Sequence, residues 1–371
     1  MLKTILKNEQ PLFLGVATYF VFLLFGKSWF QQLGNPLVFI ILFVVLSAVM
    51  IWLSFSVVKH EGVISDRLGE PRGSLVLTIS FVTIEVVLVT MVMTSGHHYP
   101  TFGRDTVFSI VMIMAYGVTG AVILIGALRF GEQSYNLRGT SVYMDILILV
   151  TGLGLVLPHF TKPQPDAELT VPMTGYLIIM PLILYAVFLF IQAYRHKHFF
   201  QSVNQNRENT SAIMEEQQDD TAQRSPYHFL FLILNLIPIF MLSTFMGPLI
   251  DHAIFVLHAP QSFAGLVVAM IVLTPKVVSA LRSSLHNDLQ HALNTTLGTV
   301  AAVTCLMIPT ILLIGLFIEE PVRMGLDKPE IFLLIIGFLI SLTNLAQNKT
   351  NIMTGLANML IFLTYIFLLF D

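Results

Sequence analysis

Residues 37–53 read LVFIILFVVLSAVMIWL, seventeen positions with no charge and no helix breaker. A helix needs about 20 mainly apolar residues to cross the hydrocarbon core of a bilayer. The run is too long and too unbroken for a strand of an outer-membrane barrel, which alternates apolar and polar residues over about ten positions. It predicts a membrane-crossing helix over 36–58.

The same criterion, applied outward in both directions, selects ten further segments: 12–28, 73–95, 106–128, 142–158, 173–193, 228–247, 262–281, 290–315, 331–347 and 351–370. The chain therefore reads as an all-α membrane protein of about 11 transmembrane helices. Composition agrees. Hydrophobic residues make up 55% of the chain and charged residues only 11%, against roughly 25% charged in a soluble domain. A net charge of −3 offers no basic face for nucleic acid. The single Cys305 excludes an internal disulfide and a four-thiolate zinc site. The partners expected are the lipid bilayer, an inorganic cation and protons, and no motif fixes an oligomeric state. Lys3 and Lys7 precede the first apolar run, but no small-residue cleavage site follows it, so that run reads as a retained span.

Basic residues tend to stay on the cytoplasmic side. With a cytoplasmic N-terminus, the inner segments hold Lys3, Lys7, Lys59, Arg67, Arg72, Arg129, Arg138, Arg195, Lys197, Arg207, Arg224, Arg282 and Lys349. The outer loops hold Lys27, Arg104, Lys162, Arg323 and Lys328. This bias predicts an inner (plasma) membrane protein with its N-terminus cytoplasmic and Asp371 outside.

Four regions follow: 1–30 with the first helix, 31–194 with five helices, a polar cytoplasmic linker over 195–227, and 228–371 with five more. The linker carries the acidic cluster Glu215, Glu216, Asp219 and Asp220 and has little to bury. Five helices per block force the second block to sit inverted relative to the first. Inverted repeats are a common transporter plan, with the substrate near the bilayer midplane. Unusual polar residues should then fall in matching helices of the two blocks.

They do. Glu85 sits mid-helix in the second segment of the first block, and Thr274, Pro275 and Lys276 sit in the second segment of the second. A charge at that depth costs several kcal/mol, so it must be paired, protonated or in contact with water. A structural role, tying helices together with Lys276 as partner, is one reading of Glu85. The other is a carboxylate that holds a cation or a proton in turn, since desolvation raises its pKa and a bound cation lowers it. Pro275 removes one helical hydrogen bond and frees carbonyls near residues 271 and 272. Thr78, Ser80, Thr83 and Thr274 offer further oxygens, with Thr78 one face-repeat from Glu85.

Other polar groups read as structural. HEGVISDRLGEPRGS over 60–74 reads as an interfacial segment, and Arg104 with Asp105 as a helix-start anchor. Asn287, Asp288 and Asn294 lead into the ninth segment, and 344–351 reads as a tight turn. His97 and His98 lie in an outer loop with no third metal ligand. Neither an HExxH pair nor a GxSxG elbow occurs, so no catalytic residue and no cofactor is expected.

The stretches RLGEPRGSLVLTISFVTIEVVLV (67–89), RDTVFSIVMIM (104–114) and LTPKVVSALRSSLHNDLQHALNTTLGT (273–299) resemble the calcium/cation–proton antiporter family, in particular its bacterial ChaA-type branch within the cation/calcium exchanger superfamily. The resemblance implies a leading helix, two inverted five-helix repeats and an acidic cytoplasmic loop. It also implies exchange of Ca2+ or a monovalent cation such as Na+ or K+ for H+. In the family each repeat contributes an acid to the ion site. The first falls on Glu85, and the second falls on Lys276. Two carboxylates suit calcium, whereas an ammonium has no lone pair for a metal. Three readings stay open: a monovalent cation with Lys276 losing its proton on entry, a fixed internal cation at Lys276, or a degenerate or repurposed carrier or scaffold that moves no divalent ion.

Overall fold

Inside lipid a backbone amide has no water to bond, so each apolar run must satisfy its own hydrogen bonds as a helix. The computed structural model describes residues 9–68, 72–94, 99–161, 169–192, 225–319, 322–345 and 349–370. The acidic cluster of the linker and the pair His97 and His98 lie outside the described residues, as does the side chain of Thr78.

In chain order the helices are α1 (Gln10–Phe30), α2 (Pro36–Leu68), α3 (Arg72–Met93), α4 (Phe102–Phe130), α5 (Leu137–Thr161), α6 (Val171–Phe190), α7 (Ser225–Phe255), α8 (Gln261–Leu285), α9 (Leu289–Ile318), α10 (Lys328–Leu345) and α11 (Ile352–Leu368). Among the described residues, eight of them, α1, α2 and α4 to α9, are long and apolar enough to cross a membrane by length and composition. Helix α11 is a shorter apolar helix of 17 residues. Helix α4 widens to a π-helix over Met112–Val118, and α5 does so over Gly152–Val156.

Residues 60–68, expected from sequence to be an interfacial segment, are helical and continue α2. His60 and Glu61 interrupt the apolar run, but a helix excludes no polar side chain that finds a partner inside the protein.

The chain divides into two compact units, and each draws on both halves of the sequence. The first holds 1–99 and 219–275, and the second holds 100–218 and 276–371. In the first, α7 packs along α2 and α3, and α1 leans on α2 and α7. Gly15 makes that approach possible: a Cβ there would lie 2.8 Å from the Leu53 side chain and 3.2 Å from Pro238. The outer faces of α1 and α2 expose Phe20, Leu23, Leu24, Leu37, Ile41 and Val44. A soluble monomer does not leave so large an apolar surface to water.

In the second unit α4 is buried along most of its length, with α9 and α11 against it. Its loops are pinned by a short antiparallel ladder, β1 (Gln133–Ser134) with β2 (Lys349–Thr350), in which Gln133 faces Thr350. Side-chain caps fix three helix starts. Asn136 Oδ1 accepts from Arg138 N at 3.2 Å, Asp288 Oδ1 from His291 N at 3.1 Å, and Asn351 Oδ1 from Thr354 N at 3.0 Å.

Candidate functional site

Glu85 lies on the most deeply buried stripe of α3. Phe81, Leu88, Val89 and Val92 fall at helical spacing around it, and all are at most 1% exposed, with Glu85 itself at 0%. Helices α2 and α7 pack against α3 within the first unit. The Glu85 side chain is thus held inside the protein, away from the surface.

The hydroxyls proposed from sequence do not gather on that stripe. At about 100° per residue, Ser80 and Thr83 project about 140° and 160° away from Glu85. Thr83 is exposed, and its hydroxyl donates to the Ile79 carbonyl at 2.7 Å. Ser80 is buried on a different side of the helix. Thr274, Pro275 and Lys276 are consecutive in α8, which runs unbroken through the proline. The Thr274 hydroxyl donates to the Met270 carbonyl at 2.5 Å. Lys276 is half-buried.

A second polar cluster in the first unit was missed by sequence reasoning. Glu9, just before α1, accepts from His60 Nε2 of α2 at 3.0 Å and from the Tyr227 hydroxyl of α7 at 2.8 Å, each at a different carboxylate oxygen. The other nitrogen of His60 meets His228 Nδ1 of α7 at 2.9 Å. Glu9, His60 and His228 are 1%, 0% and 6% exposed. Burial pushes the Glu9 carboxyl upward, but the bonds from His60 and Tyr227 and the positive charge of Lys59 outweigh it, so its pKa lies below the usual carboxylate value. The signal in the sequence was the pair His60-Glu61 close behind an apolar run, and it pointed to an interfacial segment only because its partners lie 51 and 168 residues away.

In the second unit, Arg104 and Asp105 are buried and tied by Arg104 Nε donating to Asp105 Oδ1 at 2.8 Å. Arg104 also donates to the Gly325 carbonyl, and Thr101 donates to the other Asp105 oxygen at 3.1 Å. This geometry is that of an anchor: it fastens the start of α4 to the loop before α10.

Comparison with known proteins places this architecture. The family model described as "Sodium/calcium exchanger protein" matches residues 38–194 and 227–370. The chain is 31% identical over 366 residues to the "Sodium-potassium/proton antiporter ChaA" of Escherichia coli (strain K12), covering 98% of this chain and 96% of that protein. Among solved structures, native YfkE superposes with a TM-score of 0.72 at 14% identity, covering 97% of this chain and 99% of that one. The "H+/Ca2+ Exchanger CAX" gives a TM-score of 0.67 at 14% identity, covering 97% of this chain and 88% of that one.

Proposed function

The chain belongs to the sodium/calcium exchanger family of secondary transporters, and we propose that it exchanges a monovalent cation, Na+ or K+, for protons, with Glu85 as the group that binds each in turn. The observation that carries this reading is the Glu85 carboxylate at 0% exposure on the apolar stripe of α3. A carboxylate so desolvated gains from neutralisation, and either a proton or a metal cation supplies it. Binding of one requires release of the other, which is the minimum condition for antiport.

The preference for a monovalent ion rests on Lys276. The family resemblance puts a second acid at that position, and calcium favours a set of charged oxygen ligands. An ammonium there changes the charge by two units and offers no ligand atom. The same observation supports the second reading, a carrier that no longer moves a divalent ion. Pro275 leaves the Ile271 carbonyl without its helical donor, an oxygen available to ions or water. In this reading α1 is the leading helix, α2–α6 and α7–α11 are the two inverted repeats, and the N-terminus is cytoplasmic.

The test uses purified protein in vesicles that enclose a pH dye. Addition of Na+ or K+ should change the internal pH, and Glu85→Gln should abolish the change. Exchange that survives in Glu85→Gln would remove Glu85 from the mechanism.

A further inference from the structure

Glu9, His60 and His228 are buried side chains from three different places in the chain, joined by hydrogen bonds, with the half-buried Tyr227 beside them. Their hydrogen bonds dictate where protons sit. Both Glu9 oxygens are acceptors, one for Tyr227 and one for His60 Nε2. His60 therefore carries its proton on Nε2 and, when neutral, presents a lone pair on Nδ1. The facing atom, His228 Nδ1 at 2.9 Å, must then be the donor.

One added proton can be placed so that the bonds among Glu9, His60 and His228 are all kept. The proton of His228 Nδ1 shifts across the contact to His60 Nδ1, and the incoming proton ends on His228 Nε2. His60 becomes an imidazolium paired with the Glu9 carboxylate, and His228 stays neutral and accepts at Nδ1. The balance is one proton taken up and one positive charge gained, next to a carboxylate that offsets it. A second proton does not fit. It would put N–H groups on both sides of the 2.9 Å contact and two positive charges side by side.

We infer that Glu9, His60 and His228 form a proton-binding site, separate from Glu85, that takes up one proton in place and opens on the second. Opening would release the start of α1 from α2 and α7, because Glu9 precedes α1, His60 lies in α2, and His228 and Tyr227 lie in α7. Among the described side chains, charged and titratable groups lie along the helices packed here. On α2 these are Lys59, which acts on Glu9, and the buried Glu61. On α7 they are Tyr227 and His228, with Asp251 and His252 at the far end of that helix. Among the described residues, α3 adds Glu85 and α1 adds Tyr19 and Lys27. The Phe231 ring stacks on His60 at 5.9 Å and shields the pair.

The site is tested on the full chain in detergent, labelled with 15N-histidine, by following imidazole nitrogen shifts from about pH 8 to about pH 4. The expected result is two coupled steps for one pair of imidazoles, separated by at least about tenfold in proton concentration. The first step should convert His228 from the Nδ1–H to the Nε2–H form. His228→Asn should leave His60 titrating in a single step, and Glu9→Gln should move the first step to lower pH by about tenfold or more. Glu85→Gln should leave both steps unchanged, which separates this site from the exchange mechanism. Wild-type protein in which the two imidazoles titrate independently at one midpoint, or in which neither titrates over that range, would overturn the inference.

Discussion

Gly120 of α4 and Gly355 of α11 bring two helix backbones into contact. A Cβ on Gly120 would lie 2.8 Å from Met359 N and 3.0 Å from the Gly355 carbonyl oxygen, and a Cβ on Gly355 would lie 2.7 Å from Leu124 N. Small residues allow such close approach between membrane helices, where packing replaces the hydrophobic effect as the driving force. The neighbours here are backbone atoms, which cannot rotate away.

Gly355→Ala should therefore destabilise the protein by about 1–3 kcal/mol through overpacking. Gly175→Ala is the control, since nothing lies within 4 Å of a Cβ there. Thermal unfolding in detergent should show a lower midpoint for the first and no drop for the second.

Arg104 should be equally sensitive. Removal of one member of a buried ion pair costs about 3–5 kcal/mol, because the other charge stays buried. Arg104→Leu leaves Asp105 at 2% exposure without its 2.8 Å partner. The expected outcome is a large loss of thermal stability, partly recovered in Arg104→Leu with Asp105→Leu. No recovery would mean that the bond to Gly325, and not the ion pair, is what the arginine supplies.

Stability should depend on pH through Glu9. Its folded-state pKa is below the unfolded value, which is about 4.3 for glutamate. Its contribution is then fully present above about pH 4.3 and is lost as pH falls through the lower folded value. Below about pH 4.3 the stability advantage of wild type over Glu9→Gln should shrink as the carboxylate itself takes up a proton, which thermal unfolding in a pH series would read.

Lys276 decides the cation in the proposed mechanism. Lys276→Glu restores the acid that the family resemblance expects and adds a hard oxygen ligand for calcium. In the vesicle assay this variant should give a calcium-driven pH signal that wild type lacks. Equal calcium signals from both would show that the lysine does not select the ion.

The sequence by itself determined that the chain is a bundle of membrane helices, because continuous apolarity such as 37–53 leaves no other stable state in lipid. It also singled out Glu85, because a lone acid inside an apolar run is costly wherever the run folds. Tertiary structure alone decided which polar groups meet. Thr83 turned to the exposed side of α3, and Arg104 became the clasp of a distant loop. His60, read as part of an interfacial segment, found Glu9 and His228 across 51 and 168 residues of chain. Apolar periodicity is local and survives in one dimension. A hydrogen bond between helices depends on their rotation and depth in the packed protein, and no spacing along the chain encodes that.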